Sequence, residues 1–164
     1  MIKHRKRTSK RKTKSKHNIT LTKTKIKDTN ISTILPLLCE YVGNTKTDWN
    51  YITPYDFYHK YYKTDKLENV FLLDLRAKDE YDKMHIKGAH NIFWLDLLKD
   101  ENIKKLPKNK IIFLICYVGH TSSQAMVLLK LLGYKVVSIK FGYGISPVFE
   151  VPVAGWTNYK YPTI

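Results

Sequence analysis

Three short apolar runs constrain this chain more than any other feature: Val70-Phe71-Leu72-Leu73, the stretch from Lys110 to Cys116, and the stretch from Lys135 to Lys140. None alternates with polar residues. A short continuous apolar run is the pattern of a strand buried on both faces, which occurs where helices cover both sides of a parallel sheet. The segment between the second and third runs supplies such a helix. From Ser122 to Leu132 the apolar residues Ala125, Leu128, Leu129 and Leu132 recur at three- and four-residue spacing, and Gly133 stands where a C-terminal cap belongs. Thr53-Pro54-Tyr55-Asp56 predicts another helix start, with a hydroxyl at the N-cap, proline in the first turn and a carboxylate beside the helix dipole. Lys78 to Met84 predicts a short charged helix, Gly88 to Ile92 a brief extended segment, Leu95 to Leu98 the start of a further helix, and Leu106 to Lys110 a surface loop. Strand, helix, strand, helix, strand is the signature of an α/β fold with a parallel sheet.

Charge divides the chain. Of its 29 Lys and Arg, twelve fall in residues 1–27, where there is no Asp or Glu; 17 basic residues then face 14 acidic ones in the remainder. The net charge of +15 therefore belongs mostly to an N-terminal arm. Such a segment buries too little apolar surface to offset its ordering entropy and is expected to be disordered. Residues 28–49 are expected to form a linker or peripheral segment. Pro36 argues against a regular element through Ile34 to Cys39, and Leu37, Leu38 and Tyr41 suggest that Cys39 is buried and inert. The folded domain is expected over 50–164. Two cysteines, Cys39 and Cys116, are too few for a disulfide framework, and no Cys/His cluster has metal-site spacing. A reducing intracellular compartment follows, cytoplasmic or, through the basic arm, nuclear. No apolar stretch is long enough to span a bilayer.

Cys116 ends its strand and opens the loop Tyr117-Val118-Gly119-His120-Thr121 before the next helix. In parallel sheets the reactive groups lie at the carboxyl ends of strands, which puts Asp74, Arg76 and Cys116 on one rim. The unpaired N–H groups and positive dipole end of the following helix stabilise an anion there, as do inward-turned loop amides. Gly119 supplies the backbone freedom for such a loop, and the hydroxyl of Thr121 or Ser122 can cap the helix or donate to sulfur.

The motifs resemble the rhodanese homology domain: Asp74-Leu75-Arg76, Glu80-Tyr81, His85-Ile86-Lys87-Gly88-Ala89-His90-Asn91-Ile92, the Cys116 loop, Leu132-Gly133-Tyr134 and Gly155-Trp156, in that order. The resemblance implies a small rhodanese-type parallel sheet flanked by helices, without metal or organic cofactor. It implies a sulfurtransferase that moves a sulfane sulfur from a donor to a thiophilic acceptor through a persulfide on Cys116. The amides of Tyr117, Val118, Gly119, His120, Thr121 and Ser122 would cradle that sulfur, with Asp74 and Arg76 supporting the loop. His85 and His90 fall in a family motif and are expected to be structural.

The loop departs from the family pattern, which often carries arginine where Tyr117 and Thr121 stand. A less positive loop meets thiosulfate less favourably and points also to a persulfide-carrying protein as donor. A phosphatase or arsenate reductase would need an arginine six positions after the cysteine; Ser122 stands there. The alternative is a non-catalytic binding or regulatory module. Gly144 to Ala154 has the composition of an inserted loop near the active rim. The arm is a candidate for non-specific contact with nucleic acid or another polyanion; residues 1–27 contain no aromatic side chain to stack on bases.

Overall fold

The computed structural model describes residues 31–45, 49–146 and 154–164. The arm over 1–27 and most of the expected insertion, residues 147–153, lie outside the described residues.

The three apolar runs form the centre of one sheet. Its strands are β1 (Tyr51–Ile52), β2 (Val70–Asp74), β3 (His90–Asn91), β4 (Ile111–Ile115) and β5 (Val136–Ile139). They lie in the order β1-β5-β4-β2-β3, and every pairing is parallel. In β2 and β4 successive side chains enter opposite cores, as the pleat requires. Leu73, Leu75, Ile112, Leu114 and Cys116 pack on one side with Ala125, Met126 and Leu129. Val70, Leu72, Phe113 and Ile115 pack on the other with Phe57, Ile86, Tyr143 and Trp156. Both faces are covered, so both residue sets are apolar and no alternation is visible in the sequence.

Around the sheet lie α1 (Ile31–Asn44), α2 (Pro54–Phe57), α3 (Lys78–Lys83), α4 (Asp100–Ile103) and α5 (His120–Leu131). The expected cap opens α2: Thr53 Oγ1 accepts the N–H of Asp56 at 2.9 Å. A wider turn continues α2 through Tyr62. Gly133, at φ +78°, closes α5 as expected, with the Tyr134 N–H bonded to Leu129 O at 3.0 Å.

Two expectations about the segment before the sheet are corrected. Pro36 lies inside α1 instead of preventing it. A single proline removes one amide donor, and an exposed helix keeps its bonds on either side. Cys39 is exposed, not buried. Leu37, Glu40, Tyr41 and Asn44 line the cleft that faces α5 and β5, which leaves Cys39 on the outer side of the helix.

Candidate active site

Parallel strands deliver their following loops to one rim, and three of them meet here. The loop after β4 starts at Cys116. The turn after β5 folds over it: the Tyr143 N–H donates to Cys116 O at 2.9 Å, and the Gly144 N–H donates to Tyr117 O at 2.9 Å. Gly142, at φ +51°, lies so close beneath the loop that a Cβ would come within 2.0 Å of Cys116 O. The segment after β2 joins through the Leu75 N–H, which donates to Ile115 O at 2.9 Å.

Cys116 is 1% exposed. Its Sγ accepts the Gly119 N–H at 3.2 Å and the Ser122 N–H at 3.4 Å. Gly119 is the N-cap of α5, so the helix starts two residues before the expected position. The hydroxyls of Thr121 and Ser122 therefore fall inside the first turn, and neither is the cap. The sulfur itself accepts the third-residue N–H, as a capping side chain would. Gly119 reaches this geometry at φ +95°, a conformation that disfavours any side chain. Of the loop expected to cradle the sulfur, Gly119 and Ser122 are in direct contact with it. Tyr117 and Val118 are half-buried, Thr121 is half-buried beside them, and His120 is exposed in the first turn of α5.

Ser122 Oγ stands 3.4 Å from the sulfur and donates to Gly119 O at 3.1 Å. Ser138 Oγ donates to Ser122 Oγ at 2.9 Å, and both serines are fully buried. Sequence reasoning missed Ser138. The available signal was a serine inside the apolar strand Val136-Val137-Ser138-Ile139, because a buried hydroxyl needs a partner. Ser138→Ala removes the donor to Ser122 and is expected to lower unfolding free energy by about 1 kcal/mol, measured by urea titration. A change below a few tenths would show that this bond contributes nothing.

Asp74 and Arg76 sit beneath the same rim as a fully buried pair. Arg76 Nη2 meets Asp74 Oδ2 at 2.7 Å, and Arg76 Nε reaches both carboxylate oxygens at 3.1 Å. Nη2 also donates to Met84 O at 2.6 Å. Burial opposes the guanidinium charge, but the hydrogen bond and charge of Asp74 outweigh it and hold the pKa of Arg76 above its ordinary value. Tyr143 completes the cluster. Its hydroxyl donates to Asp74 Oδ2 at 3.0 Å, and its ring lies 3.6 Å from the Arg76 guanidinium carbon. Burial, then the Asp74 charge, pushes the Tyr143 phenol far above its usual range, so it stays a donor. The Tyr143 side chain thus holds Asp74 while its backbone holds Cys116 O. His85 stacks on Tyr81, and His90 stacks on Phe71.

Two backbone amides thus point at the buried sulfur from the N-terminus of α5, and the thiol donates to Ser122 Oγ. The family model for the rhodanese-like domain matches residues 58–144, a span from the turn that follows α2 through Gly144. Over 65 residues, 40% of this chain, it is 37% identical to the adenylyltransferase and sulfurtransferase uba4 of Ogataea parapolymorpha. Over 75 residues, 46% of this chain, it is 36% identical to the putative sulfur carrier protein YrkF of Bacillus subtilis. The matched regions span 16% and 40% of those two proteins. A rhodanese-related protein from Thermoplasma volcanium superposes with a TM-score of 0.54 at 24% identity, over 70% of this chain and 96% of its own. The rhodanese-like domain of an Anabaena protein superposes with a TM-score of 0.56 at 21% identity, over 70% of this chain and 78% of its own. These superpositions identify the α/β architecture as the rhodanese fold.

Proposed function

The chain belongs to the rhodanese-like domain family, and we propose that it is a sulfurtransferase in which Cys116 carries one sulfane sulfur as a persulfide. The observation that carries this reading is the sulfur's own environment: Sγ accepts N–H groups from Gly119 and Ser122 at the start of α5. A thiolate there is stabilised by two fixed dipoles and by the end of a twelve-residue helix. The Ser122 hydroxyl adds a third donor by rotating its hydrogen from Gly119 O towards the sulfur.

The reaction balances without a cofactor. With thiosulfate, the Cys116 thiolate attacks the outer sulfur, the sulfur–sulfur bond of the donor breaks, and sulfite leaves with the electron pair. With a protein persulfide, the donor's own thiolate leaves in the same way. A nucleophilic acceptor then attacks the terminal sulfur and returns Cys116 to the thiolate. Loop charge bears on the choice of donor. Tyr117 and Thr121 place no guanidinium at the rim, and Arg76 is committed to Asp74. The loop itself therefore offers a dianion such as thiosulfate no arginine, which favours a persulfide on another thiol as donor.

Incubation with a donor followed by intact-mass spectrometry tests the proposal. The expected result is a gain of about one sulfur atom, localised to Cys116 and removed by cyanide. Loading should be faster from a low-molecular-weight persulfide than from thiosulfate at equal concentration. If no labile sulfur is gained from thiosulfate, a persulfide or 3-mercaptopyruvate, the proposal fails.

A further inference from the structure

We propose that a cleft beside the Cys116 loop binds the organic body of the sulfur donor, a low-molecular-weight persulfide that carries a carboxylate and an apolar side group. The inference rests on the sulfur-transfer reading and names a substrate class for it. The cleft forms where β1 lies along β5. Their register sets Tyr51 beside Ser138, and the Lys140 N–H donates to Ile52 O at 2.8 Å. Ser138 faces α5, where it meets Ser122, so Lys140, two residues on, lies on the same side of the chain. Trp49, Tyr51 and Phe141 supply three aromatic rings, and the active loop contributes Val118, Gly119 and His120. The Gly119 amide is the one 3.2 Å from the Cys116 sulfur, so the cleft ends at a residue that holds the reacting atom.

The space measures about 470 Å³, the size of a site for a small organic molecule. Two observations say what fits it. The first is the rings: Trp49 is 66% exposed and Phe141 44%. Phe141 holds a φ of +59°, which a bulky residue adopts only where its surroundings impose it. A Cβ on Gly119 would stand 3.1 Å from the Phe141 backbone nitrogen, so this strained turn is packed on the active loop. Strain held there to present an exposed ring points to contact with a ligand. The second is charge. Lys140 lines the cleft, no Asp or Glu does, and Lys140 forms no ion pair among the described residues. Its ammonium lies 5.5 Å from the centre of the Trp49 ring, so cation and ring are presented together. Thiosulfate would use the cation and leave the rings in water, and a neutral thiol would leave the cation unpaired. A persulfide with a carboxylate and an apolar group uses both. In the reaction the Cys116 thiolate attacks the outer sulfur of R–S–SH. That sulfur moves to Cys116 with its hydrogen, and R–S⁻ leaves with the electron pair of the broken sulfur–sulfur bond.

The test compares three donors: N-acetyl-phenylalanyl-cysteine persulfide, its C-terminal amide, and N-acetyl-alanyl-cysteine persulfide. Loading of Cys116 in the full chain is followed by intact mass. The expected result is a KM about fivefold lower for the phenylalanyl acid than for either comparator, with similar kcat. Lys140→Gln should remove the preference for acid over amide. Trp49→Ala and Phe141→Gly should each remove the preference for phenylalanyl over alanyl. The fold should hold in all three, because neither ring is in the core and glycine adopts a positive φ freely. Equal KM for the three donors, or preferences that survive these substitutions, would overturn the proposal. Binding is read separately, by tryptophan fluorescence of the Cys116→Ser protein titrated with the S-methyl form of the phenylalanyl acid. Saturable binding, weakened by Lys140→Gln, is expected. Binding without loading from any donor would overturn the sulfur-transfer reading, whereas loading without binding would overturn the cleft alone.

Discussion

Cys116→Ser is expected to lower sulfur transfer to cyanide at least a thousandfold, to the background of the uncatalysed reaction. Serine keeps the hydrogen-bonding pattern but loses the chemistry. An alcohol at neutral pH has almost no anionic form, and two amides and one hydroxyl cannot make up that difference. Oxygen is also a poor partner for the outer sulfur of a donor. The substitution is nearly isosteric, so the fold should survive. The Gly119 and Ser122 amides, set at 3.2 Å and 3.4 Å for a sulfur atom, lose some contact with the smaller oxygen. A stability change within about 1 kcal/mol is expected. Thiocyanate formation measures the rate and urea unfolding measures the fold. A variant retaining more than about a hundredth of the wild-type rate would remove Cys116 from the reaction.

The largest expected effect on stability comes from Asp74→Ala. The carboxylate accepts from the Arg76 backbone N–H at 3.0 Å, from the Arg76 guanidinium, and from the Tyr143 hydroxyl. Arg76 is 1% exposed, so removing Asp74 leaves a buried cation without its anion and a buried phenol without its acceptor. Breaking a buried pair in this way costs about 3–5 kcal/mol. The urea midpoint should fall with the slope of the transition unchanged. Asp74→Asn should be milder, because an amide oxygen still accepts from Tyr143. If Asp74→Ala and Asp74→Asn are equally tolerated, within about 1 kcal/mol of wild type, the cluster does not support the rim.

How much of this was legible in the sequence depended on whether a signal was local. The runs in β2, β4 and β5 were visible because a strand buried on both faces is apolar at every position. The Thr53 cap and the Gly133 stop were visible because each is satisfied within five residues. The placement of Asp74, Arg76 and Cys116 on one rim followed from parallel topology alone. By contrast, β1 has two residues, Tyr51 and Ile52, and exists as a strand because β5 pairs with it. The start of α5 lies before the hydroxyls of Thr121 and Ser122, which resemble caps in the sequence. The actual N-cap is a glycine whose amide, with that of Ser122, turns to a sulfur. Tyr143 stood in a stretch of glycines with no helical or strand pattern, and its partner Asp74 is far away in sequence.

The three central strands, the covering helix and the cysteine at a strand end thus follow from the amino-acid sequence. Those depend on burial pattern and local backbone chemistry, which each residue carries with its neighbours. Tertiary structure alone decided what surrounds the thiol. Ser138 reaches Ser122 from the adjacent strand, Gly142 admits the turn that lies against Cys116 O, and Tyr143 ties that turn to the buried Asp74–Arg76 pair. Each is a contact between segments distant in the chain. Hydrogen bonds and close approaches of that kind depend on distances set by strand register, and no periodicity in the sequence encodes them.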